Sequence, residues 1–450
     1  MSLPEEDVWV KLAPMQQERC ELGAAVVEGK IYAMGGTVVT RPHFFHTERE
    51  VMDTNEMYDP ETNSWIYKTP LPAPSNNFAV AVFEDQIYCI GGDGSSAFNW
   101  VYNPVLDTWE NRTAMPFSQE RAQANVVGGK IFLLGGSRNG SLNWIYDPLN
   151  DSWTQGASMP KGFRGASTVY KDKIYVVGAY VYPYYWDGAD FNLTSEVTTL
   201  VQVYDPEKDA WAVAATGGPY CLEGLFVIST SGVYAPPKIY CLSYSQWSDI
   251  GGYIFSGTIY ENMAFDLETK RWEPVAGLSV MRTGFALVVV DDLVYIVGGY
   301  RPDLPYFDGY SLHPIPLVLT LVERYTPLGY GRVAPEVCVL SLEEGGVYDF
   351  ENVPLEFGLK HPVVWMGYSL DGQANVTIEG NVTLSGLSYG RHSVVVFAED
   401  KYGNIGASET ITFSVVNGPL SMFFMGAVVV TVVVAVVVCG GLLLFLRKRR

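Results

Sequence analysis

A spacing of seven between an aromatic residue and a Trp recurs at Tyr58/Trp65, Tyr102/Trp109, Tyr146/Trp153, Tyr204/Trp211 and Phe265/Trp272. The clearest copy runs from Gly128 to Trp153, GGKIFLLGGSRNGSLNWIYDPLNDSW. Within it Lys130 to Leu134 reads as a short apolar strand stopped by Gly135-Gly136, a second strand ends at Tyr146-Asp147-Pro148, and a third begins near Trp153. Each copy therefore predicts one antiparallel sheet. Six positions after each Trp stands a Met, Leu or Gly, at Met15, Leu71, Met115, Met159, Gly217 and Leu278, so the copies abut without linkers. A lone sheet of this size cannot bury a core, and stacking against its neighbours is what gives it one.

The unit resembles the kelch repeat, with its apolar strand, glycine pair, Tyr-Asp-Pro turn and Trp. Glycine pairs stand at Gly35-Gly36, Gly91-Gly92, Gly135-Gly136 and Gly298-Gly299, with Gly178-Ala179 a partial match and Ala235-Pro236-Pro237 an irregular fifth unit. The resemblance implies a β-propeller. At the two ends of the repeat region, Tyr325-Thr326-Pro327 lacks a Trp seven positions on, while Trp9 lacks a preceding Tyr turn. The two halves complete one another. The expected fold is all-β: a six-bladed kelch-type propeller over 8–332 closed by the N-terminal strand, which removes two open edges.

Past Pro327 the repeat stops, and a second domain is expected over 334–416. Alternation marks strands at Val353 to Leu359, Val363 to Ser369, Val376 to Ile378, Ser393 to Ala398 and Thr410 to Val415, with Asp371-Gly372 as a hairpin turn. Short strands in such number read as a β-sandwich. The stretch Leu387 to His392, followed by Val394 to Asp400 and Gly403-Asn404, resembles the Ig-like modules of microbial surface proteins, archaeal ones in particular. Trp365 is the candidate core tryptophan. With Cys338 as the domain's one cysteine, the antibody-type disulfide is absent.

After a linker at 417–422, residues 423–446 form an uncharged stretch of 24, roughly 36 Å long as a helix, against a hydrocarbon core of about 30 Å. A single membrane span is expected, anchored in lipid. The tail Arg447-Lys448-Arg449-Arg450 is then cytoplasmic, and the propeller and sandwich lie outside at the cell membrane. Residues 1 to 7 hold no apolar stretch, so export in this orientation implies a start upstream of Met1. Sequons at Asn111, Asn139, Asn150, Asn192, Asn375 and Asn381 all precede the span.

Charge and motif content narrow the chemistry. A net charge of −20, more negative still without the terminal tail, repels phosphate and excludes nucleic acid as a partner. The glycine pairs end strands and lack the helix a phosphate loop needs, and no GxSxG or HExxH motif occurs. Six cysteines show no CxxC; buried free thiols are the preferred reading, and a local Cys221/Cys241 disulfide is the alternative. His43, His46 and His313 are weak metal candidates and read better as solvated loop residues, so neither metal nor cofactor is expected.

Long excursions at 37–55, 179–200 and 300–321 set the functional question. In an up-and-down blade they share a face with the segments that enter each inner strand. Their rings and carboxylates include Phe44 and Phe45, then Tyr182, Tyr184, Tyr185, Trp186 and Asp187, then Tyr300, Tyr306, Phe307 and Asp308. Such side chains suit a glycan or a protein ligand. Arg19, Arg121, Arg164 and Arg282 precede their glycine pairs by 16, 14, 14 and 16 positions. They are read as one level of the ring, offering a secondary pocket for an anion. A surface recognition or adhesion protein without catalytic residues is the expected function, and a propeller enzyme acting on sugars, isomerase- or oxidase-like, is the alternative.

Overall fold

The computed structural model describes the chain apart from residues 1–4, 44–45, 94–96, 137–139, 162–164, 181–184, 187–190, 193–197, 220–223, 247–257, 308–311, 350 and 418–450. It divides into two compact units. One comprises Glu5–Gly232 and Pro236–Leu328, and the other takes Val233–Ala235 and the chain from Gly329.

Six four-stranded antiparallel sheets occur among the described residues of the first unit. The first contains Gly23–Val27, Lys30–Met34, Asn55–Asp59 and Ser64–Lys68. The next four repeat this order along the chain. The last is built from Ala286–Val290, Leu293–Val297, Val322–Thr326 and the N-terminal Val8–Lys11, in which Trp9 lies opposite Tyr325. The first strand of each sheet touches the first strand of the next, and Ala286–Val290 returns to Gly23–Val27, so the innermost strands form a closed cycle. The second strand of a sheet is walled by neighbours on both faces. Lys30–Met34 accordingly buries four residues in a row, as an unbroken apolar run requires.

Turn chemistry explains the entry hairpins. Glu28-Gly29, Glu84-Asp85, Gly128-Gly129, Lys171-Asp172 and Asp291-Asp292 all have φ between 47° and 76°. Two successive left-handed residues make the tight turn whose twist matches the flanking strands. The glycine pairs answer a different need. Gly35 has φ of 59°, and a Cβ there would lie 2.3 Å from the Ser75 carbonyl of the next sheet. Gly36 donates its amide to that same oxygen at 2.8 Å.

The seven-residue spacing is a register constraint. Tyr58 pairs with Trp65, Tyr102 with Trp109, Tyr146 with Trp153 and Tyr204 with Trp211 directly across the outer two strands. Their ring centroids are 4.9 to 5.1 Å apart. Two residues before each Trp stands Asn63, Asp107, Asp151, Asp209 or, for the last sheet, Asp7, all with φ of 47° to 55°. Each accepts a hydrogen bond from the Tyr hydroxyl, for example Tyr146 to Asp151 at 2.5 Å and Tyr325 to Asp7 at 2.8 Å. The same carboxyl or amide oxygen accepts a backbone N–H from the preceding sheet, at Ala13, Thr69, Thr113, Ala157 or Ala276. The Trp indole donates to the carbonyl of that very residue, at 2.8 to 3.1 Å. Five seams are thus latched by one repeated clamp. The fifth sheet has Phe265 and Lys270 in place of Tyr and Asx, and its Trp272 indole N–H has no partner.

In the second unit, the main sheet runs Gly346–Tyr348, Ile411–Val415, Gly390–Glu399, Trp365–Leu370, Val376–Thr377, with its first pair parallel and Ile405–Ala407 on the far end of Gly390–Glu399. Val353, Leu355, Leu384, Val394, Val396, Ala398 and Phe413 form its core. Two expectations are corrected here. Val353 to Leu359 is two strands, Val353–Leu355 paired with Val382–Leu384 and Phe357–Leu359 paired with Val337–Val339. Trp365 is outside the core, because strand parity sends Met366, Tyr368 and Leu370 inward and leaves Trp365 over Gly367, its indole donating to Thr377 Oγ1 at 3.1 Å. Among the described residues no helix is long and apolar enough to cross a membrane, and residues 423–446 lie outside them. Cys20 and Cys89 are buried free thiols, while Cys221 and Cys439 lie outside the described residues.

Candidate functional site

The inner strands are lined with Gly, Ala and Val, and the small side chains leave a channel of about 590 Å³ along the axis of the cycle. Its polar end is built by the residues two positions ahead of the inner strands. Glu21 donates its amide to the Gly284 carbonyl at 2.6 Å, Asn77 to Glu21 at 3.0 Å and Arg121 to Asn77 at 2.9 Å. These four have φ of 63°, 56°, 51° and 57° in the order Gly284, Glu21, Asn77, Arg121. Glycine and Asn accept that conformation readily, but Glu and Arg are held there at some cost. Strain of this kind is kept where it sets up a site.

The side chains of Glu21, Asn77 and Arg121 all line the channel. Glu21 is only 10% exposed and forms an ion pair with Arg49. It also accepts from Thr37 Oγ1 at 3.1 Å and Asn76 Nδ2 at 3.3 Å. Arg121, 56% exposed, stands 4.0 Å from the other Glu21 oxygen. The hydrogen bond to Glu21 raises the Arg49 guanidinium pKa further. Asn77 Nδ2 donates to Asp93 at 3.1 Å. Burial first, and then a hydrogen bond with Glu120, raise the Asp93 carboxyl pKa. Tyr300 completes the mouth. It exchanges backbone hydrogen bonds with Thr283, at 2.9 and 2.8 Å, and burial pushes its phenol upward.

The excursions are β-hairpins, and the first and third reach this mouth through Arg49 and Tyr300. Thr37–His43 pairs with His46–Val51, Tyr185–Trp186 with Phe191–Asn192, and Tyr300–Phe307 with Leu312–Val318. The first and third of these run alongside each other through Thr37–His43 and Leu312–Val318. Arg49 lies on the first hairpin, so its ion pair ties an excursion to the channel.

The arginines do not form one level. Arg19 and Arg282 lie four positions ahead of their inner strands, and their side chains are wholly buried against Glu56 at 2.8 Å and Glu323 at 2.9 Å. Arg19 also donates to the carbonyls of Gly35 at 2.8 Å and Thr54 at 2.9 Å. Its counterpart in the third sheet is Gln119, which reaches the Gly135 carbonyl at 2.7 Å. Arg121 sits two positions later and faces the channel. The difference between 16 and 14 in the spacing is this offset. Arg19 and Arg282 are seam residues, and desolvation lowers both of their pKa values.

Arg164, Tyr182, Tyr184, Asp187 and Asp308 lie outside the described residues, as do the side chains of Tyr185, Trp186, Tyr306, Phe307, His43, His46 and His313. The backbone sets His43 opposite His46 and Tyr306 opposite His313. No group of three metal-ligating side chains occurs among the described residues. Sequence reading overlooked Glu21, Asn77, Asp93 and Arg49. The available signal was a shared place two ahead of each inner strand in Glu21-Leu22-Gly23, Asn77-Phe78-Ala79 and Arg121-Ala122-Gln123.

Sheets in cycle, latched seams and glycine-paired strands define a kelch-repeat β-propeller. The Kelch motif matches residues 18–72, 74–116 and 121–160. Kelch-like protein 33 of Homo sapiens is 34% identical over 93 residues, 21% of this chain and 16% of that protein. The influenza virus NS1A-binding protein homolog of Mus musculus is 35% identical over 89 residues, 20% of this chain and 12% of that protein. Kelch-like ECH-associated protein 1A of Danio rerio is 34% identical over 93 residues, 21% of this chain and 15% of that protein. The similarity thus spans less than a fifth of each relative. The solved structure of YjhT aligns over 68% of this chain and 96% of its own, with 13% identity and a TM-score of 0.47.

Proposed function

We propose that this chain is a recognition protein, a six-bladed propeller that binds a protein ligand at the channel mouth. An Ig-like sandwich serves as its stalk, and residues 423–446 tether it to the cell membrane with both folded units outside. The observation that carries the reading is the convergence at Glu21. One buried carboxylate joins the first excursion through Arg49 to the inner ring through Arg121, so the mouth is a preorganised polar surface flanked by hairpins. Two of the relatives are named for a protein they bind or associate with. Rings in the excursions favour stacking on sugars as a second reading.

The test is a screen of the full-length chain against cell-surface protein extracts and glycans, repeated with Arg121→Glu. Arg121 is more than half exposed, so the substitution leaves the fold intact and reverses the charge at the mouth. A protein ligand captured by the parent and lost by the variant supports the proposal. A ligand held equally by both places the binding face elsewhere, capture by glycans alone selects the second reading, and turnover of a sugar restores the enzyme alternative.

A further inference from the structure

A second cavity, of about 530 Å³, opens in the seam between the fifth and sixth sheets and shares Phe226 and Phe285 with the channel. Its origin is visible by comparison with the other seams. Met15, Leu71 and Met115 stand four positions ahead of Arg19, Ser75 and Gln119, and each is at most 5% exposed, plugging its seam. Leu278 holds that place ahead of Arg282, yet it is only half-buried and borders the cavity. The outer strand beside it, Trp272–Pro274, is three residues long. Met15 covers its arginine, with its sulfur 3.8 Å from Arg19 Nη2. At Arg282 the corresponding space is open.

We propose that this cavity is a small-molecule site for an uncharged, largely apolar ligand that presents one hydrogen-bond acceptor to Arg282. Phe226, Leu242, Met263, Leu278 and Phe285 form the apolar wall, with the Phe226 and Phe285 rings 3.9 Å apart. Two buried polar side chains line the cavity with them, Ser243, whose hydroxyl donates to the Glu261 carbonyl at 3.0 Å, and Arg282. Arg282 donates to the Leu321 carbonyl at 2.9 Å and to Glu323 at 2.9 Å, and its Nε–H has no partner. Arg19 also has an unpartnered Nε, but Met15 closes the space over it and its other donors reach the carbonyls of Ala33, Gly35 and Thr54. A buried donor left unmet favours any occupant with a carbonyl or ether oxygen. Charge decides the rest. Glu323 already balances Arg282, so an anionic ligand would give up its water without gaining an uncompensated cation and is disfavoured.

Benzophenone is a suitable probe, being neutral, apolar, a ketone and photoreactive toward C–H bonds. The full-length chain is irradiated with it, or with its 4-carboxylate, and the adducts are mapped by peptide mass spectrometry. Adducts are expected to concentrate on the segments carrying Met263 and Met281, the latter at the rim. The carboxylate is expected to label those segments about tenfold less, equivalent to roughly 1.4 kcal/mol, and Leu278→Trp is expected to remove the labelling with the melting temperature unchanged. Labelling spread evenly over the propeller, equal labelling by the carboxylate, or labelling that survives in folded Leu278→Trp overturns the proposal. The comparison of the two probes uses the unaltered chain and decides the matter even where the variant does not fold.

Discussion

Asp151 offers the sharpest test of how the ring is held. Its Oδ1 accepts from the Tyr146 hydroxyl at 2.5 Å and the Thr113 amide at 2.8 Å, and its own φ is 47°. Asp151→Ala removes both bonds and places a Cβ residue without a polar anchor in the left-handed region. Tyr146 is fully buried, so its orphaned hydroxyl costs about 1 to 3 kcal/mol. The Thr113 amide regains water and costs less, roughly 0.5 kcal/mol, and the backbone adds about 1 kcal/mol. The sum is a loss of about 3 kcal/mol. Asp151→Asn keeps the conformation and an acceptor and should lose about 1 kcal/mol, the charge-assisted part. Burial works to raise the Asp151 carboxyl, but the Tyr146 hydroxyl and the Thr113 amide outweigh it and hold it below the ordinary range. A depressed carboxyl contributes stability above its unfolded pKa, so the gap between parent and Asp151→Asn should shrink as pH falls through the folded value. Urea denaturation of the purified chain measures all three proteins. Lys270→Ala, at the equivalent place in the unclamped fifth sheet, is the control and should change little. A loss below about 0.5 kcal/mol for Asp151→Ala, or equal losses for Asp151→Ala and Lys270→Ala, would refute the clamp.

Three further outcomes follow from the same structure. Trp9→Ala removes a ring that packs with Tyr325 and Tyr240 and the bond to the Ala276 carbonyl, so the propeller should lose about 3 kcal/mol or more by the same denaturation. In the second unit His392 bonds Asp371 at 2.8 Å and the Ser388 carbonyl at 2.7 Å. Burial works to lower its pKa, and those two partners outweigh it and raise it. The stabilisation is therefore complete below the unfolded value near 6.5 and lost as pH rises through the folded one, and His392→Gln should flatten the melting temperature of that unit between pH 5 and about 8. Finally, external protease on intact cells should digest the propeller, and full protection would reverse the proposed orientation.

Much of the propeller was legible because its strongest constraint is a pairing register. Tyr146 and Trp153 must face each other across a turn of fixed length, so their spacing survives in the sequence. The clamp was equally available in Asn63, Asp107, Asp151 and Asp209, two ahead of each Trp, and Lys270 marked the exception. The arginines misled because counting back from a glycine pair merges two layers, a seam layer at Arg19 and a channel layer at Arg121. In the second unit, Val353, Leu355, Phe357 and Leu359 keep one parity through Glu356, and nothing in that pattern marks where the chain changes sheets. The mouth stayed hidden for a further reason. Glu21, Asn77 and Arg121 differ in type, and what they share is a left-handed backbone rather than a side chain.

The most direct test of recognition at the mouth places a photo-reactive side chain at Arg121 in the full-length chain on intact cells. The same group at Val105, 82% exposed in the turn between the outer two strands of the second sheet, serves as the reference. The expected result is a discrete adduct of higher mass from the Arg121 position and none from Val105. The same adducts from both positions, or adducts from Val105 alone, would contradict a binding face at the channel mouth.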